Sequence, residues 1–357
     1  MSVFRIYSSF SQIFQRLTQG FVYTYAGFLL VYFLLRFLFW DEFWAVGFVS
    51  TFIPWILFPL FILPPLSFGI IKQRKLTILS SLACLLLLGW LHQNYASPNP
   101  STINSNPIKV LCLNNSWNKT SPETLVELLL NRTPDLVFLQ EVTEIHEEEA
   151  FPQLIEAYPY QFSSPRTTIL SKFPLRATET IHLADHSEFQ QRAIARINEQ
   201  EITLYNIQTI SPWIRFHQIL PFFKIPFYDY RERSEEIIDL VKRLQKETNP
   251  VIVAGDFNLT DQTQDYHRLR QVLRDAFRES GWGLGLTWPQ GWPLNFLIKN
   301  STQTLDYPLF RIDYIWYSPD GESKMTKVLA STGSDHLPVE TLVYFRPFAA
   351  LNPQNLV

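Results

Sequence analysis

Val251-Ile252-Val253-Ala254-Gly255-Asp256-Phe257-Asn258-Leu259-Thr260 is the stretch on which the reading of this chain turns. Its β-branched start predicts a buried strand that stops at the small Gly255. Asp256 and Asn258 stand two residues apart, so an extended backbone directs both side chains to one face. One brings a carboxylate and the other an amide with both donors and an acceptor. Such a pair takes a proton from water and holds a phosphate oxygen. Asp and Asn also turn a chain after a strand, so the segment alone leaves a plain turn open. Its companions decide between the two.

Upstream, residues 108–113 read as a strand that ends at Asn114-Asn115. Ser121-Pro122 then starts a helix, with Ser as N-cap and Pro at the first position. Residues 135–139 form a second strand, which delivers Gln140-Glu141 at its C-terminal end, where α/β proteins place their sites. Residues 167–170 predict another strand. Residues 193–197 and 202–207 predict a pair that leads to Gln208. Residues 231–247 are amphipathic and predict a helix feeding the Asp256 strand, and 266–277 predict the next helix. Asp313 sits inside the apolar strand pattern 312–316, which costs several kcal/mol unless the carboxylate is paired. Ser334-Asp335-His336 precedes a final strand, 339–344, and offers an imidazole that a carboxylate can orient and keep protonated. Five polar positions at strand ends are harder to explain as separate accidents than as one convergent site.

Residues before His92 are of another kind. They carry only eight charged side chains, among three apolar runs at 21–40, 43–71 and 76–91. The first is long enough to span a hydrocarbon core, with Arg36 as its one charge. Pro54, Pro59, Pro64 and Pro65 interrupt the second, which predicts a kink or an end near the proline pair. Lys75 and His92 flank the third and can snorkel toward headgroups. A cleaved signal peptide fits badly, because the first run is too long and two more follow. Arg5 and Arg16 precede the first span, and Lys72, Arg74 and Lys75 separate the second from the third. Only Asp41 and Glu42 join the first two. Both basic segments therefore belong to the cytoplasmic side, and three crossings put the rest of the chain opposite.

The expected organisation is a membrane region over 1–92, a polar linker over 93–107, a catalytic domain over 108–346 and a tail over 347–357. Beyond the membrane region acids exceed bases, for a net charge of about −7, which excludes a broad phosphate-gripping nucleic-acid surface. Cys84 and Cys112 are poorly placed to pair and read as small buried hydrophobes.

In this order, Val110-Leu111-Cys112-Leu113-Asn114, Leu139-Gln140-Glu141-Val142, Leu170-Ser171-Lys172-Phe173-Pro174, Gly255-Asp256-Phe257-Asn258, Arg311-Ile312-Asp313-Tyr314 and Ser334-Asp335-His336-Leu337-Pro338 resemble the endonuclease/exonuclease/phosphatase superfamily. The resemblance implies a four-layer α/β sandwich, two packed mixed sheets flanked by helices, here preceded by transmembrane helices. It implies phosphoester hydrolysis with Mg²⁺, or Mn²⁺ in its place. Glu141 would be the principal metal ligand, with Asn114 and Asp335 near the same ion. Asp256 would orient or deprotonate the attacking water and Asn258 would hold it or the phosphate. His336, paired with Asp313, would bind the phosphate. Many family members carry Asn-x-His after a strand; this chain has Asn206-Ile207-Gln208. Gln208 can donate a hydrogen bond to a phosphate but cannot shuttle a proton at neutral pH.

The function expected is that of a membrane-anchored phosphodiesterase or nuclease. Alternatives are a lipid or small-molecule phosphodiesterase or phosphatase, of sphingomyelinase or phosphoinositide-phosphatase type, and a catalytically weakened membrane binding protein. The partners expected are a phosphoester substrate and the lipid bilayer, with no protein partner inferred. Residues 212–230 (PWIRFHQILPFFKIPFYDY) combine aromatics, prolines and bases in a composition suited to a bilayer interface. The same aromatics would also serve as core.

Overall fold

The computed structural model describes residues 2–95, 103, 105–117, 119–186, 189–220, 223–296 and 301–346. The tail expected at 347–357, and most of the linker, lie outside the described residues. The chain divides into two compact units, Met1–Asn94 with Phe216–Tyr228, and Tyr95–Arg215 with Asp229–Val357.

The second unit is built on two six-stranded mixed sheets. One orders its strands Gly321–Val328, Val339–Phe345, Ile108–Asn114, Leu136–Gln140, Thr167–Ser171, Tyr160–Ser164. The other runs Arg274–Asp275, Asp313–Tyr317, Val251–Asp256, Gln200–Gln208, Gln190–Ile197, Leu175–Ile181. Alternate residues of each central strand face opposite ways, so each sheet packs on both faces. Val110, Cys112, Phe138, Leu204, Ile252 and Ile315 share the cluster between the sheets. Leu111, Leu113, Val137 and Leu139 pack outward with Leu125 and Leu129 of the Pro122–Arg132 helix. Tyr205, Val253 and Trp316 pack with Ile237 and Leu240 of the Arg231–Leu244 helix. The result is the four-layer sandwich, helix over sheet over sheet over helix.

Register brings the polar positions together. In one sheet Asn114 lies opposite Gln140 in a parallel pair. In the other, Asp256 lies opposite Gln208 on one side and Asp313 on the other. Gly255 does not end its strand, which continues through Asp256. A Cβ at Gly255 would fall 1.8 Å from the Ile207 carbonyl oxygen, so the neighbouring strand closes on it and only glycine fits. The helix expected over 266–277 is not continuous. It splits into Gln264–Leu269 and Ala276–Ser280, with the short strand Arg274–Asp275 between them. The cause is Asp275, whose Oδ1 caps the second helix by accepting from the Phe277 and Arg278 N–H groups.

The N-terminal unit opens with the Ser2–Phe39 helix. Its one charge in the apolar run, Arg36, donates to Ser50 Oγ at 2.7 Å and Tyr32 Oη at 3.2 Å and lies over the Trp40 ring. After the Trp44–Thr51 helix, Pro54, Pro59, Pro64 and Pro65, which lack an N–H, fall in the short helical pieces Ile53–Leu57, Phe58–Phe61 and Leu63–Leu66. The Arg74–Tyr95 helix follows. Three stretches, Gln12–Glu42, Ile53–Ile71 and Arg74–His92, are long and apolar enough to cross a membrane. The aromatic segment after Gln208 is a hairpin of strands Trp213–Leu220 and Phe223–Asp229, paired as their own small sheet. Phe216–Tyr228 belong to the N-terminal unit, where Phe227 meets Trp44 and Tyr228 meets Phe48, each at 5.6 Å between ring centroids.

Candidate active site

The two sheets present their polar strand ends at one edge of the sandwich, around an open cavity of about 630 Å³. Asp256, Asn258, Glu141, Asp335 and His336 line it, with Ser116, Trp117, Lys119, Ser211 and Trp288. Asn114 connects the sheets: its Nδ2 donates to Glu141 Oε1 at 3.2 Å and to Asp256 Oδ2 at 3.1 Å. Its Oδ1 accepts the Ser116 N–H at 2.8 Å. One amide nitrogen thus holds two carboxylates from opposite sheets.

Asp256 and Asp313 face each other across an antiparallel pair, where two negative charges repel. His336 answers that repulsion. Its Nδ1 donates to Asp313 Oδ2 at 2.9 Å, and its Nε2 stands 4.0 Å from Asp256 Oδ2 and 3.8 Å from Asp335 Oδ1. Burial works against a charged imidazole, but Asp313 and Asp256 carry its pKa up to about 9. Burial pushes the Asp256 carboxyl up to about 7; Asp313 and Glu141 add to this and His336 opposes it. At neutral pH the arrangement is an imidazolium beside a carboxyl poised to exchange a proton. Asp313, and not the adjacent Asp335, is the carboxylate that orients the ring.

Asn258 sits at positive φ, 48°, in the turn after its strand. Its backbone N–H donates to Asp256 Oδ1 at 3.0 Å and its Nδ2 to the Thr209 carbonyl at 2.9 Å and Asp256 Oδ2 at 3.3 Å. Buried Arg233 fixes the turn from behind, donating to the Asn258 carbonyl at 2.8 Å and to Asp265 at 3.2 Å. Glu236, also buried, accepts the Ile210 N–H at 2.7 Å and steadies the loop after Gln208. Ser334 Oγ donates to the Asn114 carbonyl and accepts the His336 N–H, tying the histidine loop to the first strand.

Gln208 is buried beside the cavity; its Nε2 donates to Glu141 Oε1 at 2.9 Å. Its Oε1 is buried and has no hydrogen-bond partner. Asp335 bonds Lys119 Nζ at 2.7 Å and Trp292 Nε1 at 3.0 Å, and although burial opposes its ionisation, Lys119 leads the groups that hold its pKa below the usual carboxylate range. Lys119, Trp117 and Ser211 are cavity residues that sequence reasoning did not single out. Nothing in their local pattern marks them, because loops far apart in the chain bring them in.

Every ligand-type atom here is oxygen or imidazole nitrogen, the donor set of a hard divalent ion. Two carboxylates share one amide donor, and the Asp256 carboxyl is raised by crowding and burial. A cation would relieve that excess negative charge, so the residues fit one. Asp256, Asp313 and His336 also bring one ligand-type atom each within 4.8 Å of one another. In that trio, however, His336 Nδ1 is already bonded to Asp313 and the proton supplies the positive charge.

A family model, the Endonuclease/Exonuclease/phosphatase family, matches residues 110–336. The chain belongs to this family. Its members are hydrolases of phosphoesters. Among solved structures, TDP2 from C. elegans is similar at 17% identity over 78% of this chain and 83% of that one, with a TM-score of 0.51. An endonuclease/exonuclease/phosphatase protein from Bacteroides vulgatus gives 13% identity over 68% of this chain and all of its own, TM-score 0.49. A mannosyl-6-phosphatase from Bacteroides thetaiotaomicron gives 16% over 67% and all of its own, TM-score 0.48. No curated protein matches by sequence. At these identities the structural likeness concerns the fold, and the family model carries the membership.

Proposed function

We propose that the chain is a membrane-anchored, divalent-metal-dependent phosphoesterase that cleaves the P–O bond of a phosphodiester by attack of water. The observation that carries this reading is His336, bonded to Asp313 with its second nitrogen 4.0 Å from Asp256, at the edge of the cavity that Glu141 also lines. Asp256 accepts the proton of the attacking water, held in place by the amides of Asn114 and Asn258. His336 stays protonated through neutral pH and donates from Nε2 to a phosphoryl oxygen as negative charge builds there. Asn258, in the turn behind Asp256, orients the water. Glu141 and Asp335 would hold Mg²⁺ or Mn²⁺, with Asn114 fixing Glu141 beside Asp256. Bound there, the ion supplies charge neutralisation at the phosphoryl and leaving oxygens. Gln208 positions Glu141 through its hydrogen bond, a different task from the phosphate contact expected of it.

The apolar helices anchor the enzyme, and the charge pattern around them puts the catalytic unit on the non-cytoplasmic side. A lipid-borne phosphoester is the second reading of the substrate. It is favoured because Phe216–Tyr228, in the hairpin that starts five residues after Gln208, belong to the unit of apolar helices.

The test is a hydrolysis screen of the full-length protein in detergent micelles with Mg²⁺. Single- and double-stranded DNA, RNA, a soluble aryl phosphodiester, sphingomyelin and phosphoinositides are the substrates. Turnover of at least one class is expected, falling by a factor of about 10²–10⁴ in Asp256→Asn. Hydrolysis that survives chelation, or equal rates for Asp256→Asn and the unaltered protein, would sink the reading.

A further inference from the structure

The catalytic unit carries another concave surface, none of whose lining residues lines the phosphoester cavity. It is an open groove of about 470 Å³ lined by Phe277, Trp282, Leu284, Leu286, Tyr307 and Pro308, among others. Trp282 is 84% exposed and Tyr307 62% exposed, the least covered large aromatics among the described residues of this unit. Two such rings on the rim of an apolar groove cost hydration free energy in water and call for an apolar occupant.

Tyr95 identifies the occupant. It is the last residue of the Arg74–Tyr95 helix and belongs to the catalytic unit. Its carbonyl accepts the N–H of Gly283, the residue next to Trp282, at 3.1 Å. Its ring lies 3.8 Å from the Arg278 guanidinium, and its hydroxyl accepts from Gln262 Nε2 at 3.2 Å. His92, the end of the third apolar stretch, lies three residues earlier. Three residues reach about 10 Å at most, whatever the conformation. Covalent geometry alone therefore keeps the Trp282 rim near the place where the apolar helix leaves a bilayer. Trp and Tyr are the side chains that seat at that level, ring in the apolar boundary and polar edge in the headgroups.

We propose that the Trp282–Tyr307 groove is a lipid-contacting surface that rests on the headgroup and upper acyl region of the bilayer beside the third span. The inference depends on the reading that the apolar helices cross a membrane.

Full-length protein carrying Cys84→Ser and Trp282→Cys tests this in phosphatidylcholine nanodiscs; Cys112 is fully buried and stays unlabelled. An environment-sensitive dye on Cys at 282 is challenged with lipids brominated high in the acyl chain, and separately with aqueous iodide. A dye at 33 (Phe33→Cys, inside the first apolar stretch) reports integration, and Tyr307→Cys repeats the measurement at the second exposed ring of the groove. Brominated lipid is expected to cut the signal at 282 and 307 by about twofold or more, with little iodide effect, as for an interfacial ring. Quenching by iodide alone, with residue 33 still quenched by lipid, overturns the proposal while leaving the spans intact. Protection from both quenchers, with disulfide capture of a second copy at 282, also overturns it, by showing a protein contact in place of lipid. Loss of lipid quenching at residue 33 overturns the anchoring and the proposal together.

Discussion

The His336–Asp313 pair turns pH into a readout of the site. Asp256 and His336, both raised, bind more protons folded than unfolded, so their contribution to stability is lost as pH rises. For Asp256 that contribution is full below its unfolded pKa of 3.8 and lost through about 7; for His336 it is full below 6.5 and lost through about 9. Activity that needs the imidazolium should fall on an alkaline limb near 9. Asp313 is the largest charge raising the histidine, so Asp313→Asn should move the limb to lower pH, measured as a pH–rate profile. An unmoved limb would separate the two residues. His336→Ala and Asp313→Ala should each cost a similar factor, and the double variant little more, because groups acting as one unit are non-additive. Glu141→Ala should raise the Mg²⁺ concentration needed for half-maximal rate by about tenfold or more while leaving the melting temperature nearly unchanged. Normal rates at low Mg²⁺ would remove Glu141 from the metal site. Asn114, Glu141, Asp256, Asn258, Asp313, Asp335 and His336 were all legible as candidates, because polar side chains at the ends of apolar strands are conspicuous. The pairing of His336 with Asp313 came from the family resemblance and holds at 2.9 Å; the residues alone left the carboxylate that orients the imidazole open.

Among the elements, the strand Val251–Asp256 has the least room for change. Gly255→Ala would drive a methyl into the Ile207 carbonyl, pushing apart the strands that carry Gln208 and Asp256. A loss of about 2–4 kcal/mol is expected, seen as a lower melting temperature together with lost activity; a neutral result would show that the strands separate easily. Strands with continuous apolar runs were readable from sequence, and so were the Ser121-capped and Arg231-led helices. Leu175–Ile181 and Gly321–Val328 were missed because one is mostly exposed and the other partly so, leaving little apolar pattern to read. The hairpin at Trp213–Asp229 was missed for another reason. Its aromatics and prolines signal a greasy surface, but two strands that pair chiefly with each other lack the alternation that a half-buried sheet imposes.

For the molecule as a whole, the division of labour between an apolar N-terminal region and an α/β domain was visible in composition alone, since charge nearly vanishes before His92. The topology that follows from Arg16, Lys72, Arg74 and Lys75 is open to a direct check. A reporter fused after Val357 that is active only outside the cytoplasm should give signal, and exchanging Lys72, Arg74 and Lys75 for acids should weaken it. Signal from a cytoplasm-restricted reporter would invert the assignment. What composition did not reveal is that the boundary between the units is crossed more than once. The backbone passes from one to the other at Asn94, returns for Phe216–Tyr228, and goes back at Asp229. The two parts are therefore sewn together by three peptide stitches. Cutting the linker leaves two of them, and the released fragment still carries Phe227 and Tyr228, whose ring partners Trp44 and Phe48 stayed behind. An excised catalytic domain is expected to behave as an incomplete molecule, sticky at that hairpin, and a well-behaved soluble form calls for replacing the hairpin by a short turn as well as removing the helices.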